Sequence, residues 1–244
     1  MTIVIARLLP DLLSINGSLG NADILASTIT RMGHKVSVVD VAGVGDVAIA
    51  PDVVCVGSGS TSALQPALTA LVPIASALHG WAQDGAAFCA IGMGWDVLGQ
   101  DITVADDEVL PGIGIFPSSA DYRPGRFAGE VAGADYKNRD TAGYINQVGT
   151  TTLHGGTPLM TISHQAKPIA PDEGIVHGRL FGTKLGGPAL SLNPHLRDDV
   201  IDAILASRGL GTVADCQTDG FVEFHTRVDQ LAEMARKKIR QRLR

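Results

Sequence analysis

The stretch Ala86-Ala87-Phe88-Cys89-Ala90-Ile91-Gly92-Met93-Gly94-Trp95-Asp96-Val97-Leu98-Gly99 decides how this sequence folds. An unbroken apolar run, Ala86–Ile91, stops at Gly92, a second glycine follows at 94, and Trp95–Gly99 reads as a short helix. An apolar run of that length, without polar alternation, is a strand buried on both faces, as in parallel sheets. A strand that passes through a glycine turn straight into a helix presents the turn residue at the sheet's carboxyl end.

The flanking sequence repeats this strand-then-helix rhythm. Thr2–Leu8 is a short apolar run, and Asn21–Met32 carries Ile24, Leu25, Thr28, Ile29 and Met32 at helical spacing before Gly33 stops it. Lys35–Val41 is β-branched and alternating. Asp52–Val56 ends in Gly57-Ser58-Gly59, and Ala63–Leu78 reads as one helix. Strands separated by helices imply a parallel sheet with right-handed crossovers. Residues 106–165 differ: rich in Gly and Thr, with short alternating runs, they predict antiparallel strands that extend or cover that sheet. Gly174–Leu185 reads as a further strand, and Leu196–Ala206 and Phe221–Leu243 as helices. The last places Val228, Leu231, Ala235, Ile239 and Leu243 on one face. With no internal repeat or low-complexity linker, residues 1–244 are expected to form one domain ending in a basic helix.

Composition agrees. A chain of 244 residues that is 45% hydrophobic and 18% charged can bury a sizeable core, which excludes a disordered protein. Aromatic content of 5% beside abundant Val, Ile, Ala and Gly favours an α/β sheet over a β sandwich. Cys55, Cys89 and Cys216 lack metal-ligand spacing, and their odd number argues against a disulfide framework. No metal or cofactor is expected. The apolar start, Met1–Leu13, has no basic leader and breaks at Pro10-Asp11, so it does not read as a signal peptide. No stretch approaches the roughly 18 apolar residues of a membrane span. A cytoplasmic protein is expected. Net charge is −6, yet Arg236, Lys237, Lys238, Arg240, Arg242 and Arg244 crowd the C-terminus. Two readings stay open: cations complementing the helix macrodipole, or a docking surface for an acidic partner. Nucleic acid is not expected as a partner.

Four separated segments together resemble the CobB/CobQ-like class I glutamine amidotransferase family. The likeness is strongest to the glutaminase subunit of lipid II isoglutaminyl synthase. Leu9-Pro10-Asp11-Leu12-Leu13 with Asn16-Gly17-Ser18-Leu19-Gly20-Asn21 is similar to the family's opening "PDLL…YGDxGN", with Asn16 and Ser18 in place of Tyr and Asp. Gly57-Ser58-Gly59 is similar to a glycine-rich loop that lends main-chain N–H groups to the oxyanion hole. Ala86–Gly99 resembles "A-I-C-G/A-G-Y/L-Q-L-L-G", so Gly92 stands at the cysteine position and Asp96 at the glutamine. Gly182-Thr183-Lys184-Leu185-Gly186-Gly187-Pro188, followed by Asn193-Pro194, resembles "G/A-T-Y-L/M-H-G-P…N-P", with Gly186 at the histidine. Weaker likenesses are Arg126-Phe127-Ala128-Gly129-Glu130 to "R-x-x-G-E" and Tyr144-Ile145-Asn146-Gln147-Val148-Gly149 to "F/Y-E-N-H-x-G".

The resemblance implies a class I amidotransferase-like (flavodoxin-like) parallel central sheet flanked by helices, with an added antiparallel segment. It also implies a Mur-ligase-like synthetase partner that amidates the peptidoglycan stem peptide. Glycine carries neither thiol nor imidazole, so neither a thioester nor proton transfer can arise at Gly92 and Gly186. Cys89 lies inside the strand, where a cysteine is more often a core residue. His177 and His195 read as structural, the latter as a solvated first-turn residue. Met93, Asp96, Asn146, Gln147 and Lys184 are candidate cleft residues, although Asp96 and Lys184 fit surface charges equally well. Three readings follow: a catalytically silent glutaminase-like subunit, a small-molecule-binding or regulatory module, and an enzyme of different chemistry in the same cleft.

Overall fold

A computed structural model of the chain describes residues 2–244. From the N-terminus, β1 (Thr2–Leu8), α1 (Gly20–Arg31), β2 (Lys35–Val41) and β3 (Val53–Val56) follow the expected rhythm. Next come α2 (Leu64–Leu71), α3 (Ala75–Gln83), β4 (Ala87–Ile91) and the one-turn α4 (Met93–Val97). A run of strands follows: β5 (Asp101–Thr103), β6 (Val109–Pro111), β7 (Ser118–Asp135), β8 (Asp140–Leu153), β9 (Met160–Gln165) and β10 (Asp172–Glu173). The chain closes with β11 (Ile175–His177), β12 (Leu180–Thr183), α5 (Ala189–Leu192), α6 (Pro194–Ser207) and α7 (Asp219–Arg242).

The central sheet has the order β11-β12-β4-β3-β1-β2 and is parallel except for β11. Strand alternation sorts its two faces. Ala6, Leu8, Val54, Val56, Phe88 and Ala90 pack with Leu64, Leu68, Leu71 and Leu78 of α2 and α3. Ile5, Val53, Cys55, Ala87, Cys89 and Ile91 pack on the opposite side with Leu25 and Ile29 of α1 and Val200, Ile201 and Ile204 of α6. Each such aliphatic side chain contributes roughly 1.5–3 kcal/mol on burial, and β3 and β4, covered on both faces, are buried along their whole length. The second sheet, β10-β9-β7-β5-β6 with β8 paired to β7, is antiparallel apart from β5 with β7. It joins the first through a bridge between Ile145 and Leu185 and through Trp95 Nε1, which donates to Ser118 Oγ at 3.0 Å.

The structure departs from the sequence reading in several places. The helix expected over 63–78 is split by a 3-10 turn at Val72–Ile74, where Pro73 lacks the N–H an α-helix needs, and it runs on to Gln83. The broken segment Thr61–Gln83 is nonetheless long and apolar enough to pass as a membrane span by composition, which amends the expectation of none; here Leu64, Leu68, Leu71 and Leu78 are core residues. The strand expected over 174–185 is a hairpin, β11 turning at Gly178 (φ +60°) into β12. The short helix begins at Met93 rather than Trp95. The basic tail follows neither reading in full: Arg236 and Arg240 pair with Asp140, Arg242 pairs with Glu130, and Arg236 Nη1 also donates to the Leu192 carbonyl at 2.6 Å. These bonds lay α7 along the β7–β8 hairpin.

His195, expected in solvent, is mostly buried at the start of α6, its Nε2 2.9 Å from Thr141 Oγ1 and 3.7 Å from Asp135 Oδ2. Burial, with the nearby Arg139 guanidinium, pushes its imidazole down to about 4 from the ordinary 6.5. A neutral native imidazole contributes stability that is complete above the unfolded value and lost as pH falls from 6.5 toward 4. The expected size is on the order of 2 kcal/mol. Chemical denaturation between pH 7 and 4 is expected to show this loss in the parent protein and a smaller one in His195→Gln; equal slopes would refute the assignment.

Candidate functional site

Three loops meet at the carboxyl end of the central sheet, and glycine governs each approach. Gly92 turns the chain from β4 into α4 at φ +58° and ψ −122°, a region closed to most side chains. A Cβ on Gly92 would fall 2.4 Å from Ser58 Oγ and 2.9 Å from Ser58 Cβ. The position matched to a nucleophile therefore has no side chain, and one placed there would have to displace the Ser58 hydroxyl. Gly186 differs. A Cβ there would meet only the Tyr144 carbonyl, at 3.3 Å, and the Gly186 N–H donates to that same oxygen at 2.7 Å.

The loop after β3 sits against the Leu12–Ser18 segment. At Gly57 a Cβ would come within 2.2 Å of the Leu13 carbonyl, so only glycine permits the contact. Ser58 N–H donates to Ser18 Oγ at 2.8 Å, and Ser58 Oγ accepts the Met93 N–H at 3.2 Å. The Ser58 and Met93 N–H groups are thus already engaged within the protein. Preorganised oxyanion stabilisation needs such donors aimed at the reacting centre. Gly59 packs beside Met93, whose sulfur would lie 3.0 Å from an added Cβ.

Asp96 and Lys184 are 4% and 6% exposed and form a direct ion pair, so neither is a surface charge, and both line the cavity. Lys184 Nζ also donates to the Gly92 carbonyl at 3.3 Å and lies 5.2 Å over the Trp95 ring. Tyr122 OH donates to Asp96 Oδ2 at 2.9 Å. Burial, then the Asp96 carboxylate, push that phenol well above its ordinary range. Asn146 accepts from Arg126 Nε at 2.7 Å, while Gln147 reaches only the Gly149 carbonyl at 3.4 Å and leaves its Oε1 without a partner. These residues, with Ser58–Ser62 and Tyr144, line a cavity of about 710 Å³. The sequence reading missed Tyr122 and Arg126 as cleft residues. Both stand on β7 of the second sheet, whose route over the cleft no local pattern announces.

The other nucleophile and base candidates lie elsewhere. Cys89 points to the α1/α6 side of β4, and burial pushes its thiol up to about 12; Cys55 beside it is raised for the same reason. His177 is exposed at a hairpin tip, and neither it nor His195 lines the cavity. Asp198, His225 and Asp229 approach one another closely enough to hold a metal ion. However, the Arg197 guanidinium already sits among them, 2.6 Å from His225 Nε2 and 3.3 Å from Asp229 Oδ1.

The model of the CobB/CobQ-like glutamine amidotransferase domain matches residues 4–194. The chain is 24% identical over 210 residues to subunit GatD of the glutamine-hydrolyzing lipid II isoglutaminyl synthase of Staphylococcus aureus (strain N315), covering 85% of this chain and 86% of that one. A crystal structure of a glutamine amidotransferase superposes with a TM-score of 0.52 at 13% identity, over 82% of this chain and 98% of its own, a likeness of fold.

Removing one member of a buried ion pair strands the other charge at a cost of about 3 kcal/mol or more, whereas neutralising both costs little. Lys184→Met is therefore expected to lower stability by about 3 kcal/mol, and Asp96→Asn added to it to recover most of the loss. Urea titration of the two variants checks this; a double variant no better than the single would disprove the coupling.

Proposed function

We propose, for a chain that belongs to the CobB/CobQ-like glutamine amidotransferase domain family, a role as a glutaminase-like subunit that does not itself hydrolyse glutamine. The observation that carries this reading is the elbow: Gly92 has no side chain, and the Ser58 hydroxyl stands where one would project. Gly186 adds no imidazole at the matching base position. Nucleophile and base act as a unit, so loss of either removes most turnover. Engagement of the Ser58 and Met93 N–H groups and burial of Cys55 and Cys89 support the same conclusion. By its likeness to a subunit of lipid II isoglutaminyl synthase, the partner would be a Mur-ligase-like synthetase in the cytoplasm that amidates a peptidoglycan precursor.

A second reading, a small-molecule-binding or regulatory module on the same fold, rests on the cavity itself. Asp96, Lys184 and Tyr122 form a bonded polar floor, and the exposed Arg126 stands above it beside Asn146. A cleft abandoned by chemistry alone would have no need of a buried charge pair. Thermal-shift titration with glutamine, glutamate and inorganic phosphate separates the readings: a saturable rise with any of them favours the binding module, and no response favours the partner subunit.

Purified protein, alone or with a cognate ligase, is expected to release no ammonia from glutamine above a denatured control. Turnover abolished by Cys89→Ala would overturn the proposal. Gly92→Cys combined with Gly186→His is expected to stay inactive and to melt at a lower temperature. The new Cβ meets Ser58 and occupies a strained backbone region, together about 1–3 kcal/mol.

A further inference from the structure

The free edge of β8 offers a second site, which adjoins the elbow cavity and shares Arg126 and Gln147 with it. In the β7–β8 ladder Thr152 faces Ser119, Thr151 faces Ala120, and Leu153 faces Ser118. The His154 N–H donates across to the Pro117 carbonyl at 2.8 Å, which fixes the parity: Thr152 turns its backbone toward β7, while Thr151 and Leu153 turn theirs away. The Gln100 N–H reaches the Ser118 carbonyl from the far side of β7 at 2.7 Å, in keeping with that parity. Among the described residues β8 pairs with no strand other than β7, and its outer edge is met by Asn193 at Ala142, by the Gly186 N–H at Tyr144 and where Ile145 bridges Leu185. The edge beyond that bridge, Gln147-Val148-Gly149-Thr150-Thr151-Thr152-Leu153, carries no charge and no proline, the devices that ordinarily blunt an exposed edge.

A cavity of about 850 Å³ runs beside this edge, walled by Phe127, Pro168 and Ile169 and rimmed by Arg126 and Lys167 against Asp172. Two polar atoms in its wall, Thr151 Oγ1 and Gln147 Oε1, are buried without a hydrogen-bond partner. We propose that an extended segment of another polypeptide adds to the Thr151–Leu153 edge. Its main chain pairs with the outward N–H and C=O groups, an apolar side chain enters the Phe127–Ile169 wall, and an acidic side chain meets Lys167 and Arg126. Strand addition takes affinity from main-chain pairing and specificity from pockets for alternate side chains.

The test is selection from a phage-displayed library of random heptapeptides on the immobilised full chain, followed by affinity measurement with a synthetic enriched peptide. Enriched sequences are expected to alternate β-branched residues and to carry Asp or Glu. Thr151→Pro removes an N–H that no ladder bond uses and is expected to weaken the peptide at least tenfold with an unchanged melting profile. If that variant misfolds, N-methylating alternate amides of the peptide tests the same pairing on the parent protein, with the same tenfold loss expected. Lys167→Glu is expected to reverse the acidic preference. No enrichment over bare support, or unaltered affinity of the N-methylated peptide, overturns the proposal. So does a dimer in sedimentation that Thr151→Pro dissolves, since the edge then belongs to a second copy.

Discussion

At Gly92 a strand buried on both faces ends, and the chain reverses through a backbone conformation that glycine alone accepts readily. The groups at the elbow are placed by that reversal. It sets the Met93 N–H under the Ser58 hydroxyl and turns the Gly92 carbonyl toward the Lys184 ammonium. Parallel strands deliver their loops to one end, so β3, β4 and β12 bring Ser58, Gly92 and Gly186 together without any of them being near in sequence.

The cleft is lined by groups bonded to one another. The Ser58 hydroxyl sits beside the turn and accepts the Met93 N–H, the Ser58 N–H has Ser18 Oγ as its acceptor, and a carboxylate and an ammonium pair on the floor. Buried charges are tolerated only when paired and hydrogen-bonded, and Tyr122 OH and the Gly92 carbonyl provide the added bonds.

How far the sequence could be read follows from how local each signal is. Apolar runs and glycine stops located β1 to β4 within a residue or two, because burial on both faces leaves a one-dimensional trace. The order of motifs identified the family and set Gly92 and Gly186 opposite one another. What stayed hidden depended on residues far apart. The pairing of Asp96 with Lys184 joins positions on α4 and the loop after β12, and Tyr122 arrives from the second sheet. The split at Val72–Ile74 was missed because apolar spacing continues through Pro73, and the β11–β12 hairpin because its turn falls within an otherwise strand-like run. His195 looked solvated because only the docking of β8 on α6 encloses it.

The C-terminal helix changes what a count of basic residues means. Arg236, Arg240 and Arg242 spend their charge on Asp140 and Glu130, and Lys237 is matched by Glu233 one turn earlier. What solvent meets on α7 includes Leu231 and Met234, both more than half exposed. To an approaching molecule this end of the chain is greasier and less strongly positive than its string of arginines and lysines advertises.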